Sequence, residues 1–411
     1  MVTTSPEREQ ARAASHAVPD RTLRDPRLDF FRGIAMFIIL FAHTPGNFFT
    51  SWIPARWGFS DATEIFVFCS GMASAIAFGK TYDRSGWRLG TGRVIYRVWQ
   101  VYWAHIGLFF TIAMLMAALN IYGDFDKNYV GSLNLWKFFA DPGPQLVGLF
   151  TLTYVPNYFD ILPMYLVILA MMPVVMALSY VSLWQTAAGV AVVWLFAQSA
   201  LLEWLGVGHL AINFPAEPWS DREWFFNPFG WQLIFFTGFA FMRGWIPAPP
   251  VKGWLIAVAA VIVLTNIPLS NIGVREFGFD WAREWRIENR SWFNKSDFGI
   301  LRYVHFLALA YLAWAAAGVQ GARLIATGDG MLERWWDRIV RVVMKVGQQS
   351  LAVFVFSMVF ARILGVALDV AGRSTLNTTL ANFVGIAALI VVAYTVAWFK
   401  GQPWRPKARP S

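Results

Sequence analysis

Charge is scarce in this sequence. Only 14% of its 411 residues are charged, against roughly 25% in an ordinary soluble domain. The shortage excludes a disordered or coiled-coil protein, and the single cysteine, Cys69, excludes an intramolecular disulfide. Cys69 lies in the apolar run Ile65-Phe66-Val67-Phe68-Cys69 and reads as a small buried side chain. No HExxH, no CxxC pair and no glycine-rich phosphate loop after a strand occurs, so no metal is expected. What the chain has instead is apolar mass: 57% hydrophobic residues, with 36 Phe, 22 Trp and 12 Tyr. Apolar stretches of about 18 residues or more recur along its length, as in polytopic helical membrane proteins. In that class Lys and Arg gather in cytoplasmic loops, so the net charge of +9 is no sign of nucleic-acid binding.

The expected fold is therefore all-α, a transmembrane helical bundle of about ten spans. They run roughly over 28–48, 61–80, 94–119, 161–182, 184–203, 229–247, 253–270, 299–320, 346–368 and 380–399. Segment 144–155 is apolar but too short to cross alone. Residues 1–27 read as a disordered tail with no cleavable signal, 28–399 as one membrane domain and 400–411 as a basic tail. Basic residues crowd the N-terminal tail, the 80–97 loop, the 321–345 segment and the C-terminal tail, which places both termini in the cytoplasm. Segment 321–345, with Trp335, Trp336, Arg338 and Arg341, reads as an amphipathic linker helix on the inner surface.

Ionisable groups inside spans cost roughly 2.5–3.5 kcal/mol each on insertion scales, so each is a functional candidate by default. On this topology His43, Asp61, Glu64, Asp160 and His305 fall in one outer layer, contributed by four spans. An imidazole there can take the proton of a hydroxyl as it attacks an acyl carbon, with a carboxylate orienting the ring. His105, among Tyr102 and Trp103, reads as a packing or hydrogen-bonded residue. At the inner surface, Asp29 and Arg32 are one turn apart, and Arg93 and Arg97 are spaced i, i+4. Arginines at that level suit the phosphates of a cytosolic cofactor. Arg32 sits a turn inside the apolar run and needs a partner, for which Asp29 is nearest.

Several blocks resemble the OpgC family, inner-membrane proteins associated with succinylation of osmoregulated periplasmic glucans. They include Arg27-Leu28-Asp29-Phe30-Phe31-Arg32-Gly33 with His43 and Pro45-Gly46-Asn47, and the stretch from Gly58 to Gly71. Tyr154 to Tyr165, Phe226-Asn227-Pro228-Phe229, Leu301 to Tyr311 and Gly347-Gln348-Gln349-Ser350-Leu351 follow in family order. The chain departs from the family at Cys69-Ser70-Gly71-Met72, where a bulkier neighbour is expected. The family is similar to the wider membrane acyltransferase-3 group, in which a first-span Arg and His, here Arg32 and His43, are considered essential.

The resemblance implies an O-acyltransferase of the bacterial inner membrane that uses acyl-CoA, succinyl-CoA in the first instance, as co-substrate. It implies donor contacts at Arg32, Arg93, Arg97 and Tyr102, and a periplasmic glucan acceptor, with the glucan-synthesis machinery as a partner. Asn157 and the outer-loop residues Trp281 and Trp285 are candidates for substrate contact, and Arg302, near the outer end of its span, is the candidate to read a free succinyl carboxylate. His43 is the expected general base, oriented by Asp61, Glu64 or Asp160. A transporter or flippase would show two halves with matching interrupted helices, and no such repeat is found; a scaffold subunit would tolerate neutralised intramembrane charges.

Overall fold

The computed structural model describes residues 25–328 and 330–405. Within them the regular structure is helical, with one isolated antiparallel bridge between Pro215 and Glu223. The principal helices are α1 (Pro26–His43), α2 (Ala62–Ser74), α3 (Lys80–Tyr122), α4 (Pro142–Thr151), α5 (Ile161–Val181), α6 (Leu183–Phe196) and α7 (Pro228–Arg243). They continue with α8 (Gly253–Thr265), α9 (Asp280–Glu288), α10 (Ile300–Ala317), α11 (Met331–Gln348), α12 (Ser350–Ala371) and α13 (Thr375–Lys400). Together they form a polytopic, membrane-type bundle.

Five helical stretches are long and apolar enough to cross a bilayer: Ala62–Tyr122, Ile161–Val181, Ile300–Ala317, Ser350–Ala371 and Thr375–Lys400. The expected count of ten is therefore corrected, for local reasons. Helix α1 has the length but carries Arg27, Asp29 and Arg32 in its first two turns. Helices α6 and α8 have only 14 and 13 residues, short of the ~20 a bilayer core needs. After α6 the chain turns at Gln198, whose amide donates to the Asp297 carbonyl at 2.7 Å. The 61-residue stretch Ala62–Tyr122 is bent back on itself at Gly86, whose φ of 76° is open to glycine without strain. Tyr82 meets Thr91 across this bend at 3.3 Å, and Arg93 reaches Thr81 at 2.5 Å.

Helices α1, α2 and α7 lie at the centre, with α2 against α7 and α1 against α2, α11 and α12. Small residues let the backbones meet, as membrane interfaces require where lipid and side chain are equally apolar. A Cβ on Gly71 would stand 1.9 Å from the Phe235 carbonyl oxygen, and one on Gly238 would stand 2.2 Å from that of Phe68. Helix α11 is the amphipathic segment expected near 321–345. It buries Val340 and Val346 towards α1 and exposes Leu332, Trp335, Trp336 and Ile339.

The tail expected over 1–27 falls outside the described residues up to position 24, and the C-terminal tail does so from 406. The helix itself begins earlier than expected. Asp25 caps it, and Arg27 is buried between Asp25 and the Trp314 ring, 3.4 Å from its centroid.

Candidate active site

His43 closes α1, where the run Thr44-Pro45-Gly46-Asn47 turns the chain out of the helix. The Thr44 hydroxyl donates back to Leu40 at 2.9 Å, and the Asn47 amide donates to Asn382 of α13 at 2.8 Å, which pins the turn. The imidazole is half-buried, and its Nδ1 lies 2.8 Å from the Ile39 carbonyl oxygen. A carbonyl only accepts, so Nδ1 carries the proton and Nε2 keeps its lone pair. The ring meets Tyr158 edge to face at 5.3 Å. Tyr158 has φ of 90°, a conformation costing a bulky residue about 1–3 kcal/mol and one that clusters at functional sites. On the other contact of that phenol, the Arg362 guanidinium lies 3.9 Å from the ring centroid.

Asp61 and Glu64, expected to orient His43, are engaged elsewhere. Asp61 caps α2, and Glu64 closes the capping box by accepting the Asp61 N–H at 2.7 Å. The other Glu64 oxygen accepts Nε and Nη2 of Arg302 at 2.7 and 2.5 Å. Asp61 accepts from Lys295 at 2.5 Å and lies 3.7 Å from Arg302. These four charges neutralise one another at low exposure, and Arg302 is thereby committed instead of being free for a substrate carboxylate. The Ile39 carbonyl, not a carboxylate, orients His43. His305 faces the same layer but turns towards Ser60, with Nδ1 2.7 Å from its hydroxyl. Its ring covers Gly58, where a Cβ would lie 2.3 Å from Nε2.

Asp160 precedes α5 and is buried, and burial pushes its carboxyl up to about 6 against the pull of Arg222. Asn157 accepts from Arg222 at 3.1 Å. It lines a polar cavity of about 320 Å³ together with Asn213, Glu223, Trp224, Asn294 and Asp297. Burial also raises the carboxyl of Asp297, in the loop before α10. The two loop tryptophans do not converge on this cavity. Trp285 stacks at 5.9 Å on Phe293, which stacks at 4.8 Å on Phe59, while Trp281 is exposed beside Phe279.

At the opposite end of the helices a cleft of about 1010 Å³ opens, with Arg32, Arg93, Arg97 and Lys400 on its wall. Arg32 donates to the Ser350 hydroxyl, and Asp29 accepts from Gln348 at 3.1 Å. Lys400 donates to Gln349 at 2.7 Å. The Gly-Gln-Gln-Ser run between α11 and α12 thus ties these polar groups together at the mouth. Above it the wall becomes apolar through Ala73, Ala77, Leu351, Val355 and Val359. Tyr102 is not on this wall; its hydroxyl donates to the Phe150 carbonyl at 2.8 Å and fixes α4 against α3.

Sequence reasoning did not assign Tyr158, Lys295, Lys400 or the Gln348-Gln349-Ser350 run a place in the site. Arg362 carried a signal, being an intramembrane cation, but its neighbours are set only by the tertiary fold. Among the described residues no group of three or more His, Cys, Asp or Glu side chains converges as for a metal ion.

A half-buried histidine at one end of a helical membrane bundle, and a cationic cleft at the other, define a polytopic membrane protein with groups for transfer chemistry. The model of the OpgC protein family matches residues 24–401, and the chain belongs to that family. Membership supports an acyltransferase-type activity directed at periplasmic glucan, in a multi-pass inner-membrane protein. Comparison with curated proteins and with solved structures found no match.

Proposed function

We propose that this protein transfers a succinyl group from cytosolic succinyl-CoA to a hydroxyl of a periplasmic glucan. Both termini lie in the cytoplasm on this reading, as the placement of Lys and Arg favours. The cationic cleft then opens inward and His43 faces the periplasm. Arg32, Arg93, Arg97 and Lys400 receive the phosphates of the donor, a role suited to charge-assisted hydrogen bonds. The thioester arm rises along the apolar wall. Eleven positions of α1 separate Arg32 from His43, roughly 16 Å of helix. The glucan approaches from the other side, where the polar cavity at Asn157 adjoins Tyr158 and offers both donors and acceptors to sugar hydroxyls.

In the chemical step the glucan oxygen attacks the thioester carbon while Nε2 of His43 takes the hydroxyl proton. The carbon–sulfur bond then breaks, and the same proton passes to the departing thiolate. The products are the glucan ester and free CoA thiol. The observation that carries the reading is the Nδ1 contact to the Ile39 carbonyl, which leaves Nε2 as the acceptor. The test is an assay of purified protein in liposomes with succinyl-CoA and glucan, read by thiol release and by mass of the glucan. Thiol release that depends on glucan supports the reading; none with any CoA ester would sink it.

A further inference from the structure

Arg302 and Arg362 are both cations within membrane helices, but the fold answers them differently. Arg302 is matched by Glu64. Arg362 lies on α12, and among the described residues no carboxylate comes within ion-pair distance of it. Its Nε is buried and meets no acceptor. The guanidinium rests instead on the face of Tyr158, 3.9 Å from the ring centroid, and the Tyr158 hydroxyl donates to the Met358 carbonyl at 2.6 Å. A ring face positions a guanidinium but does not neutralise it. A membrane cation held this way calls for an anion brought from outside the chain.

Its position specifies which anion. Val355, Val359 and Arg362 are spaced i, i+4, i+7 and so share one face of α12. The first two line the cleft, and Arg362 stands one turn above them. At that level it faces the same phenol that His43 touches at 5.3 Å. An acyl group whose thioester carbon sits at His43 therefore brings a carboxylate two methylenes away into reach of Arg362.

We propose that Arg362, held on the Tyr158 ring, is a carboxylate subsite that selects acyl donors ending in a carboxylate over neutral ones of equal length. The assignment rests on the acyl-transfer reading above and gives its specificity to a residue other than the buried Arg302. The guanidinium binds the carboxylate through paired N–H donors, and no bond is made or broken there. A methyl end in the same place leaves the cation unanswered.

The experiment compares succinyl-CoA with butyryl-CoA for wild-type protein, Arg362→Met and Arg362→Lys in liposomes. Hydrogen bonds to charged groups are worth about 1.5–3 kcal/mol, so kcat/KM for succinyl-CoA should fall about 10- to 100-fold in Arg362→Met, chiefly through KM. Butyryl transfer should persist or rise, and Arg362→Lys should recover part of the succinyl preference. An equal loss with both donors in Arg362→Met overturns the proposal. So does a wild-type protein with no preference. A second readout does not depend on turnover: monomethyl succinate should raise the melting temperature of wild-type protein but not of Arg362→Met, and methyl butyrate should raise neither. If wild-type protein turns over no CoA ester, the acyl-transfer reading falls while this binding test still judges the subsite. Stabilisation of both proteins alike by monomethyl succinate, or of neither, rejects it.

Discussion

Arg302 donates both Nε and Nη2 to a single oxygen of Glu64, at 2.7 and 2.5 Å, while the second Glu64 oxygen accepts the N–H that begins α2. This pair joins α2 to α10 inside the bundle and satisfies one carboxylate completely. Removing one partner of such a buried pair leaves an unpaired charge and costs about 3–5 kcal/mol. Glu64→Gln or Arg302→Met alone should therefore lower folded yield and melting temperature sharply. The double replacement should recover much of the loss. Thermal melts of the four proteins in one detergent measure the coupling, and additive losses would contradict the pairing.

His43 stands apart from that network, so its loss should separate chemistry from stability. A positioned general base contributes roughly 10²- to 10⁴-fold to rate. His43→Ala should therefore lower glucan-dependent thiol release by about that factor, with melting temperature near wild type. Asp61→Asn should do the reverse, since its carboxylate serves Lys295 and the α2 cap. If Asp61→Asn left stability untouched and removed activity, a direct role of that carboxylate at the imidazole would be restored.

The cations of the cleft should act on donor binding and not on the chemical step. Arg93 is exposed and Arg97 half-exposed at its mouth. Arg93→Gln and Arg97→Gln should each raise KM for the CoA ester about three- to tenfold, with kcat little changed, because ionic contacts to phosphate hold the donor in both ground and transition states. Added salt should raise the wild-type KM in the same direction. A fall in kcat at constant KM would move these arginines out of the donor site.

How much of this was legible from sequence follows the range of the interactions. Sequence can give His43, Asp61, Glu64, Asp160 and His305 an expected depth, because position along a membrane helix is counted in residues. Who partners whom could not be read, since Asp61 to Lys295 spans 234 positions and Arg32 to Ser350 spans 318. Tyr158 showed nothing in sequence, because its role comes from a positive φ and two ring contacts. The span count erred where apolar composition continued past a turn. At 184–203 the run reads as one segment, yet the Gln198 amide ends the helix by bonding across to Asp297. The Gly347-Gln348-Gln349-Ser350 run was visible as a block, but its purpose emerges only beside Asp29, Arg32 and Lys400.

Asp160 carries a pH dependence whose sign can be stated. Burial raises its folded-state value to about 6, above the ordinary carboxylate range. The folded state thus binds its proton more tightly than the unfolded chain does. The resulting stability is fully present below the ordinary carboxylate value and is lost as pH rises through about 6. Asp160→Asn should therefore raise the melting temperature at pH 8 and change it little at pH 4. A uniform loss at both values would mean that the carboxylate is needed for its contacts with the main chain at Tyr158 and Phe225.

His105 gives a prediction in the opposite direction from most replacements in a bundle. It is fully buried on α3, and neither ring nitrogen meets a hydrogen-bond partner. A buried polar group left unsatisfied costs about 1–3 kcal/mol, whereas an apolar side chain of similar size in the same place carries no such penalty. Its neighbours on α3, Ile106 and Phe109, are buried and apolar, and α3 packs against α5. His105→Leu should therefore raise the melting temperature and leave glucan-dependent thiol release unchanged, because the ring lies outside both cavities. His105→Lys should abolish folding, since a full charge would occupy the same dry position. A lower melting temperature for His105→Leu would show that the imidazole is hydrogen-bonded through ordered water, and loss of activity at normal stability would place it on the path of the substrate.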